Sequence, residues 1–349
     1  MKIGLLTYHH SANVGAMLQT YATCKALETL GHDVVLVDVR QPERVHSGLS
    51  KYVAGVVNFK RDIGFRSFRR DFYPQLTRRY SSVDELQDSS PEVDCLVVGS
   101  DQTWNPDISK EMVMAYFLDF GPDNARRFSY ASSFGLSAWP NGSALTGEVC
   151  RALKRFDGIS VREKTGLSIL EDTFGLTGTV VVDPTMLFGS YDELTGVIPQ
   201  RNELLCYKLE RNADFYRNIG AVKDLSGMPA RLLNNSYPVK GLRYIYPPTP
   251  REWIRRIAGA GFVLTDSFHG TVFSLLYKRN FAAVRNGNGK DSRIVDLLES
   301  IGLGDRVYDS VAAMAAGKSW LVPIDYTYAE KRISAMREAS WEYLRSVLK

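Results

Sequence analysis

The feature that most constrains this chain is a rhythm. Lys2–Tyr8 is a short apolar run, and the polar stretch His9–Asn13 follows it. Met17, Tyr21, Cys24, Leu27 and Leu30 then recur at helical spacing up to Gly31, a good helix stop, before a second apolar run, Asp33–Asp38. Apolar strands alternating with helices call for a parallel sheet, because parallel neighbours must be joined by a crossover. The pattern repeats. Asp94–Gly99, Phe128–Ala131 and Thr179–Val182 read as strands, with helices at about 144–156 and 163–173. Turn residues interrupt it over 183–202, and it restarts with Glu203–Tyr207, a helix near 212–224, Arg251–Ala258, Phe262–Thr265, His269–Tyr277, Phe281–Val284 and Asp291–Ile301. At 349 residues the chain exceeds one comfortable core. The expected fold is α/β, with two Rossmann-like domains, 1–185 and 186–349, facing each other across a cleft. The final helix, about 326–348, is long enough to cross back onto the first domain.

Composition narrows the function classes. Apolar residues make up 44% and charged residues 23%, the balance of a soluble globular protein. A net charge of +4 is far from the basic footprint of a nucleic-acid binder, so no nucleic-acid partner is expected. Cys24, Cys95, Cys150 and Cys206 are scattered through apolar segments without CxxC spacing, as reduced core thiols are. MKIGLLTY has no signal-peptide architecture, and no apolar run approaches the roughly 18 residues of a membrane span. A cytoplasmic protein is expected. Residues 60–79 carry seven Lys/Arg against two Asp, with aromatics interleaved. They read either as a solvated helix with an aromatic stripe on the core or as a cationic lip for an anionic acceptor or lipid head group, a peripheral membrane contact.

Ligands of such sheets sit where strands end. HHSANVGA follows the first strand and places Asn13 and Gly15 at a helix start, where backbone N–H groups can hold an anion. The pair His9–His10 has no carboxylate cluster at useful spacing, so no metal is expected. SDQTWNP follows DCLVVG and supplies Ser100, Asp101, Gln102, Trp104 and Asn105. Asp101 suits either a helix cap or a general base, and Trp104 a sugar platform. YASSFG brings Ser133 to another strand end, and SVRE brings Arg162. That arginine either pairs with a carboxylate such as Glu163 or serves a phosphate or carboxylate ligand. Asp183 in VVDPT reads as a structural turn. In TDSFHGT, Asp266 and Ser267 end a strand while His269, Gly270 and Thr271 open a helix. A histidine there can exchange a proton near neutral pH.

The strings SANVGA, VVGSDQTWNP, SYASSFG, ISVREKTG, VVDPT and TDSFHGTVFSLLY, in this order and spacing, resemble the polysaccharide pyruvyl transferases. The resemblance covers roughly residues 1–290. It implies a two-domain fold like the GT-B glycosyltransferases, with an acceptor-side first domain and a donor-side second domain. Phosphoenolpyruvate is the implied donor, and a sugar of a surface polysaccharide or its lipid-linked precursor the acceptor. No cofactor is implied. By position His269 matches the family's histidine in the second-domain strand–helix turn. Some members carry arginine two residues earlier, where this chain has Ser267, and Arg162 is then the candidate cation for the donor. The implied reaction is ketal formation. His269 and Asp101 are the acid and base. Arg162, Asn13, Gly15, Ser267, Gly270 and Thr271 are on the donor, and Ser100, Gln102, Trp104, Asn105 and Ser133 on the acceptor. Acceptor choice is assigned to segment 40–80 and the loops around 235–250. The alternatives are a GT-B glycosyltransferase using a nucleotide sugar and a non-catalytic glycan-binding relative.

Overall fold

The protein is described from a computed structural model, over residues 1–11, 13–40, 62–140, 142, 144–210, 212–233, 242–245, 249–286 and 291–349. Much of the segments expected to choose the acceptor, 41–61, 234–241 and 246–248, lies outside these. Contacts divide the chain into two units. Unit 1 comprises Met1–Lys51, Arg69–Phe188 and Met336–Lys349, and unit 2 comprises Tyr52–Phe68 and Gly189–Ala335.

Unit 1 is built on five parallel strands, β1 (Lys2–Leu6), β2 (Asp33–Val39), β3 (Leu76–Tyr80), β4 (Cys95–Val98) and β5 (Arg126–Ser129), ordered β3-β2-β1-β4-β5. A short parallel pair, β6 (Ser160–Val161) and β7 (Thr179–Val180), continues from β5 through a bridge between Phe128 and Gly158. Every residue of β4, and all but the first of β1 and β2, is buried, as strands covered on both faces must be. Helix α1 (Val14–Thr29) is buried on nearly every side, which ordinary amphipathic helices are not. Its threonines bond within the helix: Thr20 and Thr23 donate to the carbonyls of Ala16 and Gln19 at 2.8 and 2.7 Å.

Unit 2 repeats the plan with β8 (Arg201–Tyr207), β9 (Ala230–Leu233), β10 (Arg243–Ile245), β11 (Ala260–Thr265), β12 (Asn280–Val284) and β13 (Val307–Tyr308). All are parallel, in the order β10-β9-β8-β11-β12-β13. Labelled from each unit's own first strand, both sheets run 3-2-1-4-5, and unit 2 adds a sixth.

Strands β3, β9, β10 and β13 carry no run that the apolar pattern marks. β3, LTRRY, sits at the sheet edge, where charged side chains face water and guard the unpaired side. The 60–79 segment is accordingly a helix over 62–72 followed by β3. Phe65 and Phe68 are buried and Phe72 meets Tyr21 at 6.2 Å, while Arg66 and Arg70 are exposed. Lys60 and Arg61 lie outside the described residues. The last helix, Thr327–Val347, has its end in unit 1: Ser340 accepts the Val182 N–H at 3.0 Å and Tyr343 donates to the Ser129 carbonyl. No helix among the described residues is long and apolar enough to cross a membrane.

Candidate active site

In each sheet the strand order reverses beside the first strand, so the loops leaving the two central strands diverge and open a crevice. In unit 1 these are the loops after β1 and β4. Between them lies a cavity of about 350 Å³. Tyr8, His10, Ser11 and Asn13 line it from the first loop and Asp101 and Gln102 from the second, with Val39, Ile108, Met112 and Tyr116 completing the wall. The loops are tied together. Thr7 Oγ1 donates to the Ser100 carbonyl at 3.1 Å and accepts from Gln19 Nε2 at 2.8 Å. Tyr8 Oη donates to the Gln102 carbonyl and shares a 2.8 Å hydrogen bond with Ser109; burial pushes this phenol well above its ordinary range.

Asp101 has φ +80°, a left-handed conformation that Asp tolerates better than most residues but that still stores strain. It caps no helix. Among the described residues its carboxylate accepts only the neighbouring Gln102 N–H, at 2.9 Å, and stands 4.0 Å from Arg162. Gln102 is held by Gly135, whose φ is +64°: a Cβ there would meet Gln102 Oε1 at 2.1 Å.

The two adjacent histidines part company. His9 is buried, its Nδ1 3.1 Å from the Thr7 carbonyl and its Nε2 3.1 Å from Asp38, which Arg40 also contacts. Asp38 is kept strongly acidic: burial opposes its charge, but the bonds from His9 and Arg40 outweigh it. His10, half-buried on the cavity wall, makes no hydrogen bond among the described residues, and its Nδ1 is a buried atom without a partner. Burial, then the neighbouring His9 and Arg40 charges, push its pKa down to about 4. Sequence reading weighed this pair only as a metal site. The missed signal is that HHSAN occupies the same place after β1 as SDQTWN does after β4. Among the described residues no group of three His, Cys, Asp or Glu could hold a metal.

Several expected ligand contacts prove to be framework. Trp104 is fully buried, stacked on Phe117 at 5.5 Å and donating Nε1 to the Tyr116 carbonyl, so it offers no platform to a sugar. Asn105 is the N-cap of α2 (Pro106–Ser109), accepting the Asp107 N–H. Ser100 donates to Asp183 and Ser133 to Glu163, both fully buried. Arg162 is 2% exposed and lies 2.8 Å from Asp183, 3.7 Å from Glu163 and 4.0 Å from Asp101. Burial disfavours its charge, yet these three carboxylates hold the guanidinium more firmly protonated than usual. It is therefore a buried cation already matched, not one open to a donor phosphate. Asp183 also caps α3 (Pro184–Phe188) through Thr185, as its turn reading required. Asn13 caps α1, and its side chain takes the Gly15 and Ala16 N–H groups that were expected to face an anion. Of the acceptor set, Gln102 alone lines the cavity, with Asp101 beside it.

In unit 2 the corresponding loops follow β8 and β11. Lys208 and Asp266, each 1% exposed, meet at 3.0 Å, and Asp266 also accepts the N–H groups of Leu209 and Glu210. Sequence reading missed Lys208, which carries no motif. Thr265 Oγ1 donates to the Tyr207 carbonyl at 2.7 Å and accepts the Ser267 N–H. Ser267 caps α4 (Phe268–Leu276), accepting the Gly270 N–H at 3.3 Å. Ser267 and Gly270 are thus occupied with each other. Gly270 has a further constraint, since a Cβ would lie 2.4 Å from Thr265 Oγ1 and 3.1 Å from Tyr207. Thr271 is fully buried and bonded to the Ser267 carbonyl, so it is not a donor ligand either. His269 is half-buried on the first turn of α4. A larger groove, about 600 Å³, lies at the opposite edge, where Arg201, Lys278 and Arg279 sit at the starts of β8 and β12, so it is not part of this crevice.

The fold is shared widely at low identity. Over 99% of this chain and 100% of the other, it resembles UDP-GlcNAc 2-epimerase from Neisseria meningitidis bound to UDP-GlcNAc, with a TM-score of 0.53 at 9% identity. The S. aureus MnaA–UDP structure gives 0.55 at 14% identity, covering 98% of this chain and 92% of that one. Arabidopsis thaliana UGT89C1 gives 0.52 at 12% identity, with 98% of each chain covered. These likenesses establish a GT-B-like fold. Comparison with curated proteins finds no match. The sequence model of the polysaccharide pyruvyl transferases matches residues 13–288, most of the chain and both switch-point loops that carry Asp101 and His269. The chain belongs to the polysaccharide pyruvyl transferase family.

Proposed function

We propose that the protein transfers the enolpyruvyl group of phosphoenolpyruvate to two hydroxyls of one sugar in a polysaccharide or its lipid-linked precursor, closing a cyclic pyruvate ketal. The family match carries this reading. The chemistry needs a proton donor, a proton acceptor and a pocket for an uncharged diol, and no redox group. His269, as imidazolium, protonates the methylene carbon, which becomes the methyl group and leaves C2 electron-poor. One sugar oxygen bonds to C2 while Asp101 takes its proton. The second sugar oxygen then bonds to C2, the C2–O bond to phosphate breaks, and inorganic phosphate leaves with the second hydroxyl's proton. The first turn of α4 suits the donor's anionic groups, because the helix dipole favours negative charge there. The cavity of unit 1 is assigned to the acceptor.

A thermal-shift titration with phosphoenolpyruvate, run beside UDP, GDP and CMP sugars, tests the donor without knowledge of the acceptor. A ligand at about 100 times its Kd adds roughly 2.7 kcal/mol to stability. A shift with phosphoenolpyruvate supports the reading; a shift only with a nucleotide sugar replaces it with glycosyl transfer. Asp101→Asn should lower turnover while leaving phosphoenolpyruvate binding unchanged, and wild-type turnover in that variant would remove the base from Asp101.

A further inference from the structure

We propose that His10 is the residue by which the unit 1 cavity recognises an acceptor hydroxyl, through one hydrogen bond between that hydroxyl and a ring nitrogen of its neutral imidazole. The inference rests on the transferase reading for the identity of the sugar as acceptor, but its geometry stands alone. A neutral imidazole carries one N–H and one lone pair. His10 makes no hydrogen bond among the described residues, its Nδ1 is buried without a partner, and the residue shares the cavity wall with Asp101, Tyr8 and Ser11. An unsatisfied buried polar atom is unfavourable, and an uncharged sugar hydroxyl, which can donate or accept, satisfies an imidazole nitrogen in either tautomer.

The surroundings enforce the neutral state. Burial acts first, His9, Arg40 and Arg69 then work against a charge on the ring, and only Asp38, already engaged by His9 and Arg40, works the other way. The His9 and His10 rings lie edge to face at 5.3 Å. Asp101 faces the same cavity and favours a ligand hydroxyl that donates. The two residues divide the labour: ketal closure needs two hydroxyls presented together, and Asp101 takes the proton of one while His10 fixes the other. His10 is therefore a positioning and specificity residue, expressed in KM for the acceptor.

The test has two arms on the full-length protein. In the first, ¹⁵N histidine NMR, with signals assigned against His10→Asn, follows titration with methyl β-D-galactopyranoside and separately with inorganic phosphate. Movement of the His10 signals by the galactoside and not by phosphate supports the proposal. Movement by phosphate alone, or by neither, overturns it. In the second arm, His10→Ala raises the acceptor KM roughly tenfold with little change in kcat, and His10→Asn, which keeps a donor and an acceptor, recovers most of it. An unchanged KM in His10→Ala overturns the proposal. Wild-type protein that moves its His10 signals with galactoside yet never consumes phosphoenolpyruvate overturns the transfer reading while leaving the sugar contact in place.

Discussion

Unit 1 reverses its strand order between β1 and β4, and unit 2 between β8 and β11, so the same topology makes two crevices from unrelated sequence. They are furnished differently. In unit 1 the carboxylates Asp183, Glu163 and Asp38 are drawn below the surface to match Arg162, Arg40 and His9, which leaves Asp101 and His10 on the wall of an open cavity. In unit 2 the corresponding loops hold the buried Lys208–Asp266 pair and Ser267 capping α4, and His269 stands on the first turn of that helix. One crevice keeps space, lined by a carboxylate and an uncharged imidazole; the other keeps rigidity beneath His269. That division suits an acceptor whose hydroxyls must be selected and a donor that must be protonated at one carbon.

The comparison can be broken experimentally. The largest expected effect is on His269: replacement by Ala lowers turnover by about 10²–10⁴-fold with the fold intact, measured as phosphate release. Wild-type turnover would leave unit 2 without its acid. Next is the rigid pair. Lys208→Met strands the Asp266 charge in the interior and costs about 3–5 kcal/mol in denaturant unfolding, whereas replacing both partners with apolar residues recovers much of the loss. If Lys208→Met is as stable as wild type, the rigid character of the second crevice is wrong. Trp104→Phe should cost about 1–3 kcal/mol through its lost hydrogen bond and volume, with the acceptor KM unchanged. A raised KM would return the indole to the acceptor. The smallest effect is in pH. Because the His10 pKa is held at about 4, below its ordinary 6.5, the unfolded chain binds the extra proton first as pH falls. Stability therefore declines through the window from about 6.5 to 4, and His10→Asn flattens that stretch alone. Asp38, held lower still, contributes only below it.

The alternation of strands and helices was legible because buried parallel strands must be continuously apolar, as LLTY, CLVV and FVLT are. Edge strands such as LTRRY were not, since one side faces water and the residues there answer to solvent. The loops at strand ends were legible as a set, and the set contained Asp101, Gln102 and His269. Their individual roles were not. Ser100, Ser133, Trp104 and Arg162 have the side chains that ligands use, and those same side chains satisfy a buried framework equally well. His10 illustrates the reverse. Its identity says nothing until Asp38, 28 residues along the chain, is found engaging His9 and leaving His10 to the cavity.

The sequence by itself determined the two αβ units, the polar loops at the strand ends, and the family, because these depend on local periodicity and on the order of short strings. Only the tertiary structure decided which polar side chains remain available. Availability depends on which charges are paired off in the interior, and those partners, Arg162 with Asp183 or Lys208 with Asp266, come from separate strands that meet only when the sheets assemble.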